Sequence, residues 1–231
     1  MTLTKNTDKL RQEVAAHVAA DSIVQGLYWD AVRKQGCFFG CLAKSDNPTI
    51  NEATYGLPVM VQRIAENIFE ALSADEAKAF FSSLPDAVAC DGKDLTRVSW
   101  QFLAAELRSL PEQPAEIQAG IDPVIAGMDL LASGQEWPEA AAARAAALAA
   151  ADASWAFARA AWAAARAAEA AAAWAAAIVA DGVVLTTDAR AAARAADAAA
   201  ADAAEAVARL RQRDLLLRLI AEAPVVENTN G

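Results

Sequence analysis

Between Glu139 and Ala208 about three-fifths of the residues are alanine, the strongest helix former among the amino acids and one without an acid, base, nucleophile or ligand. Such a stretch can build long, closely packed helices and little else. Glu139 to Ala180 reads as one helix of about 60 Å at 1.5 Å per residue. Asp181-Gly182 breaks it, Val183-Val184-Leu185 forms a short apolar loop, and Thr187 or Asp188 caps a second helix. That helix runs to about Glu222, because Pro224 forbids much continuation. A short connection makes the two helices antiparallel neighbours. The expected class is therefore all-α, with a helical domain over 1–137, an Ala-rich helical hairpin over 138–224 and a disordered tail over 225–231.

The two long helices differ from face to face. In the second, Ala192, Ala196, Ala199, Ala203, Ala206, Leu210 and Leu217 recur mostly at steps of four and three, a coiled-coil spacing filled by small residues. In the first, Arg144, Leu148, Trp155, Arg159, Trp162, Arg166 and Glu169 share a stripe opposite the alanines. Either the tryptophans pack on the first domain with the arginines at the margin, or the stripe meets a partner, since Trp and Arg dominate interface hot spots. Trp155, Arg159, Trp162 and Arg166 are the candidate interface. Two indoles in succession make a sizeable apolar patch, so a homodimer through the hairpins is expected.

Bulky apolar residues are concentrated in the first half, which must supply the core. Leu10, Val14 and Val18 fall at steps of four between Asp8 and Ala20. Glycines and aromatics from Gly26 to Leu42 predict a nonhelical stretch with a short hairpin. Helical signals resume at Asn47-Pro48 and stop at Gly56. Pro58 opens a helix carrying Val61, Ile64, Ala65, Ile68, Phe69 and Leu72 on one stripe. Ser73 with Glu76 forms a capping box, so a further helix runs to about Leu84-Pro85. Another spans Leu95 to Leu110. Ala115 to Ala132 is helical, with Pro123 either inside one helix or opening a second.

The formal charge is −10, from 20 Lys and Arg against 30 Asp and Glu. Before Glu139 there are 19 acids and 11 bases, so −8 of the charge lies there. This disfavours nonspecific binding to nucleic acid or anionic membrane, and predicts an acidic patch able to occupy a basic surface. The longest late apolar run, Ala170 to Ala180, falls far short of the ~20 residues that span a bilayer. The N-terminus is polar and lacks a secretory stretch. Three cysteines, an odd number, predict free thiols in a reducing, cytoplasmic compartment.

Cys37 and Cys41 stand four apart, and Cys90 is the third thiol. With His17 the sole histidine, the Cys and His ligands are too few for a zinc site, and mostly buried thiols without a bound metal or cofactor are expected. A metal or redox role for Cys37, Cys41 and Cys90 is the rival reading. His17 reads as structural, because no Ser or Cys partner can be named for it. Glu66 with Glu70, Asp75 with Glu76, and the run Arg209-Leu210-Arg211-Gln212-Arg213 read as solvated helix faces. No phosphate-binding glycine motif is present.

Gln25-Gly26, Gly36-Cys37, Gly40-Cys41-Leu42, Tyr55-Gly56-Leu57-Pro58, Arg63-Ile64 and Ile68-Phe69-Glu70-Ala71-Leu72 resemble a family of uncharacterised tailed-phage and prophage proteins, whose members also tend to carry an Ala-rich helical tail after a Trp like Trp137. Where members commonly have a His after the second Cys, this chain has Lys44-Ser45, which weakens a metal reading built on Cys37 and Cys41. The resemblance implies no particular activity. Taken with the charge, it leads us to expect a nonenzymatic phage or prophage protein in the host cytoplasm. It would act by contact with a host or phage protein, for example as an acidic inhibitor of a host defence complex, and bind neither nucleic acid nor membrane. A structural or assembly role for the hairpin is the remaining alternative.

Overall fold

The computed structural model describes residues 2–110, 114–140 and 206–226, and these are mostly helical. The chain divides into two compact units, one of Met1–Glu106, Met128–Glu136 and Glu205–Gly231, the other of Leu107–Gly127 and Trp137–Ala204. Residues 141–205 of the expected hairpin lie outside the described residues, and with them Trp155, Arg159, Trp162 and Arg166.

The helices of the N-terminal half follow the apolar periodicity. Helix α1 (Thr7–Ala19) buries Thr7, Leu10, Val14 and His17. The buried stripe is thus 7-10-14-17, and the expected Val18 is 43% exposed. After it comes a two-stranded antiparallel hairpin, β1 (Trp29–Asp30) and β2 (Gln35–Gly36), with Trp29 opposite Gly36 and Asp30 opposite Gln35. Asp30 closes its tip by accepting from the Val32 and Arg33 amides at 2.8 and 3.0 Å.

The expected nonhelical stretch ends sooner than Leu42. Phe38–Ala43 is a short helix, α2, with Cys37 at its N-cap. Two apolar rings followed by small residues wind into a turn that drops Phe38 into the centre of the core. Helix α3 (Thr49–Tyr55) stops at Gly56, whose φ of 70° is the left-handed conformation glycine adopts freely. Helix α4 (Val59–Ala71) buries Val61, Gln62, Ala65, Ile68 and Phe69.

Helix α5 (Ala74–Val88) begins in the expected Ser73/Glu76 capping box. It does not stop at Pro85 but runs through it. The proline lacks an amide for the ladder, and the last turn persists because Pro85, Ala87 and Val88 are all buried. Helix α6 (Val98–Arg108) starts a turn later than expected. Asp94 holds the preceding turn, accepting from the Thr96 amide and hydroxyl at 3.0 and 2.5 Å. Helix α7 (Ala115–Ser133) is one helix with Pro123 inside it. Gly134, at φ 83°, ends it, with the Gly134 and Gln135 amides bonding back to Leu131 and Leu130 at 3.0 and 2.9 Å.

Phe38 is fully buried, with the rings of Phe39, Phe80, Phe81 and Phe69 centred 4.6, 4.8, 5.2 and 5.6 Å away. Between α3 and α4, Asn51 and Gln62 form a buried amide pair 3.2 Å apart. Gln62 also donates to the Pro48 and Leu57 carbonyls, and Asn51 to that of Phe39. These bonds tie the turns around α2 to one another.

The last described helix, α8 (206–222), belongs to this same unit. Its buried residues are Leu216 and Ile220, one helical turn apart, while the expected seam residues Leu210 and Leu217 are only partly buried against the core. The loop after α5 fastens it. The Lys93 side chain, 5% exposed, donates to the carbonyls of Ala87, Ile220 and Ala221 at 3.0, 3.2 and 2.7 Å. Both ends of the chain pair with this loop: Leu3 bridges Asp94 and Val225 bridges Lys93. Val225 and Val226, expected in a disordered tail, are therefore held, the Val226 amide donating to Gly92 at 2.9 Å. The short basic run on α8 is paired, Arg211 with Glu106 at 3.1 Å and Arg213 with Asp214 at 2.7 Å.

Candidate functional site

The residue that organises the most chemistry among the described side chains is Cys37. Its position is set by glycines. A Cβ at Gly36 would lie 2.2 Å, and one at Gly40 1.6 Å, from the Tyr28 carbonyl oxygen. No side chain fits at either place, so the chain entering β1 lies directly on the turn that carries Cys37. The Cys37 amide donates to Leu27 at 2.6 Å, and its Sγ stands 3.6 Å from the Tyr28 oxygen.

Helix α4 forms the opposite wall. Arg63, Glu66 and Glu70 share one face at helical spacing. The segment before β1 is tied across that face. Gln25 donates to the Phe69 and Leu72 carbonyls at 2.7 and 2.8 Å, covering the end of α4. The Gly26 amide donates to Glu70 at 2.7 Å. Arg63 donates to the Tyr28 hydroxyl at 2.5 Å, with its guanidinium 5.9 Å from the ring centre. The Cys37 sulfur and one carboxylate oxygen each of Glu66 and Glu70 all lie within 4.8 Å of one another. Beside Glu66 a cleft of about 10 Å³, lined also by Tyr28, Gly40, Gln62 and Arg63, has room for one water.

Burial is the main electrostatic influence here. It pushes the Cys37 thiol far above its ordinary value, with the Glu66 carboxylate adding to the effect. The Glu66 carboxyl is raised as well, chiefly by burial. In the protein alone the thiol stays protonated, with the Tyr28 carbonyl as its acceptor. Cys41 is pushed up to about 11 by burial, and its Sγ lies 3.2 Å from the Gly36 carbonyl. Cys37 and Cys41 are buried free thiols, whereas Cys90 is exposed at the end of α5. Protonated, buried thiols make poor nucleophiles and poor redox partners, so this arrangement does not favour disulfide exchange between Cys37 and Cys41. The three cysteines form no common ligand group among the described residues.

No family model matches the sequence, and no curated protein or solved structure shows significant similarity to it. The cluster therefore stands on its own geometry. Gln25, Gly26, Gly36, Cys37, Gly40, Arg63 and Glu70, scattered through the sequence, meet at this one place. A ligand set restricted to Cys and His misses this cluster. Glu66 and Glu70 have the sequence pattern of a solvated face, yet Glu66 is partly buried against Cys37 and Glu70 is bonded to Gly26. The available signal was their spacing: two carboxylates at i and i+4 repel on a bare helix.

His17 lies apart from this cluster. Its Nδ1 is 2.8 Å from the Ser22 hydroxyl, and Trp29 packs edge-on at 6.2 Å. With Ser22, Trp29, Lys34 and Lys44 it lines an open groove of about 590 Å³. Ser22 is buried and also donates to the His17 carbonyl at 3.2 Å, so the pair closes the turn after α1. Burial lowers the His17 pKa from 6.5; Glu13 opposes this shift and Lys44 adds to it. The folded state thus binds the proton less readily than the unfolded chain. Stability is complete above the unfolded value and falls as pH drops from there through the folded one. Urea midpoints taken between pH 7.5 and 5 should fall in the wild type and fall less steeply in His17→Gln. Equal slopes would show that His17 does not contribute.

Proposed function

We propose that this is a phage or prophage protein of the host cytoplasm that works by contact with a host or phage protein, as a homodimer. The observation that carries the contact reading is the segment around β1. Leu27, Tyr28 and Val32 are 38%, 40% and 92% exposed, although the backbone between them is fixed by the hairpin and by the Gly36 and Gly40 approaches, and the Tyr28 hydroxyl is held by Arg63. Isolated apolar side chains are common on surfaces; three on one rigid loop form a preorganised anchor of the kind interfaces use. Among the described residues no helix is long and apolar enough to cross a membrane.

Charge supports the reading less than the sequence suggested. Bases sit among the acids: Arg11 beside Asp8 and Asp86, Lys44 beside Glu13, Lys78 beside Asp21, Arg33 beside Asp30. Acidic mimicry of nucleic acid needs a surface of one sign, so the apolar loop is the better-supported contact. The dimer is the part of the proposal that rests on Trp155, Arg159, Trp162 and Arg166.

Two substitutions in the full chain test it. Trp162→Glu should convert a dimer to a monomer by light scattering at micromolar concentration, with helical circular dichroism unchanged. Val32→Glu should abolish crosslinking to a protein partner in host lysate while leaving the mass unchanged. A wild-type monomer would remove the dimer, and crosslinks indifferent to Val32→Glu would remove the loop as the contact.

A further inference from the structure

We propose that Cys37, Glu66 and Glu70 bind one divalent cation of the zinc type. Their donor atoms converge within 4.8 Å from two independent pieces of chain, the turn before α2 and one face of α4. Around a tetrahedral zinc, sulfur at about 2.3 Å and oxygen at about 2.0–2.2 Å place ligand atoms roughly 3.3–3.8 Å apart. The remaining closure of about 1 Å is within reach of the two glutamate side chains, which have several rotatable bonds, while the thiol, 1% exposed and bound by backbone, stays in place.

Three features point to a cation here and not to an ordinary charged surface. The donors include a buried thiol, and a thiolate selects zinc over magnesium or calcium. The charges balance: a thiolate and two carboxylates give −3, a divalent ion returns +2, and Arg63, whose charge acts on Glu66, supplies the last positive charge. The surroundings orient the ligands as outer-shell partners do in metal sites. Gly26 holds Glu70, Tyr28 holds Arg63, and the Tyr28 carbonyl lies against the sulfur. Three protein ligands leave the fourth tetrahedral position to solvent. Binding displaces protons from the thiol and any protonated carboxyl into solvent, with no change of oxidation state.

The test uses the full chain dialysed against chelator, then titrated with Zn²⁺ in competition with a chromophoric chelator, and separately with Co²⁺. One equivalent should bind in the micromolar range or tighter, and the Co²⁺ form should show a thiolate charge-transfer band. Cys37→Ser should abolish the band. Cys41→Ser and Cys90→Ser should keep both the band and the stoichiometry. Gln at position 70 keeps an oxygen that can accept from the Gly26 amide, so Glu70→Gln should leave the apo protein folded with a thermal midpoint close to that of the wild type and weaken zinc binding by roughly tenfold or more. That variant decides the matter even if Cys37→Ser does not fold. Absence of saturable binding, a band that survives Cys37→Ser, a band lost with Cys90→Ser, or unaltered affinity in Glu70→Gln would each overturn the site. None of these outcomes bears on the dimer or on the Val32 contact.

Discussion

A chain ending at residue 205 should lose most of its folding stability, although nearly everything removed follows the Ala-rich segment. Leu216 and Ile220 are 0% and 1% exposed in the core of the N-terminal helices. Returning each side chain to water costs about 2 kcal/mol. Lys93 would lose its bonds to Ile220 and Ala221, and the Pro224–Asp94 and Val226–Gly92 backbone bonds would go with them. At about 1 kcal/mol for each of those bonds, the loss approaches 8 kcal/mol, against a typical total of about 5–15 kcal/mol. The truncated chain should unfold at much lower urea or without a cooperative transition. A synthetic peptide of residues 206–226 added in trans should restore the transition, because the groove it leaves is made by residues that remain. Unfolding at the same midpoint with and without residues 206–231 would show that α8 is not part of this core.

That expectation could not have been drawn from the sequence, and the reason is physical. Residues 187–222 carry an unbroken helical pattern, with Ala206, Leu210 and Leu217 continuing the small-residue seam. Periodicity reports which residues share a face; it says nothing of which neighbour covers that face. Ile220 falls on that same seam, three residues after Leu217, whereas Leu216 lies on the neighbouring stripe, and the deciding partner, Lys93, sits in the polar run Cys90-Asp91-Gly92-Lys93-Asp94. A lysine is ordinarily a surface residue. Only the return of the chain converts it into a buried cap for the ends of two helices.

Local signals were legible where local chemistry decides. The Ser73/Glu76 box and the Gly56 stop required no tertiary context. Signals failed where packing overrode them: Pro85 should end a helix, but burial of Val88 carries α5 past it. The Cys37 cluster was half legible. Gly36-Cys37 and Gly40-Cys41 marked a special turn, and the structure supplies the cause in the carbonyl of Tyr28. The carboxylates opposite were hidden because Glu66 and Glu70 look like any charged pair on a helix until the turn carrying Cys37 is laid against them.

Phe38→Ala should have the largest effect of any single substitution in the first unit. Phe38 is fully buried and packs on Phe39, Phe69, Phe80 and Phe81 at once, two of them tilted and two edge-on. Loss of the ring removes its burial and leaves a cavity, together about 3–5 kcal/mol. Each lost aromatic pair adds about 0.5–1.5 kcal/mol beyond the area. The site is rigid where it could otherwise collapse, because α2 is clamped by the Tyr28 approach to Gly36 and Gly40 and by the Asn51 bond to Phe39. Relaxation into the void is therefore limited, and the cost should fall at the upper end of the range. Phe38→Leu, which retains most of the volume, should recover more than half of it. Chemical denaturation of the two variants distinguishes these outcomes. A Phe38→Ala loss below about 2 kcal/mol would mean that the four surrounding rings close over the gap, and that the core is held by the clamps on α2 more than by its central side chain.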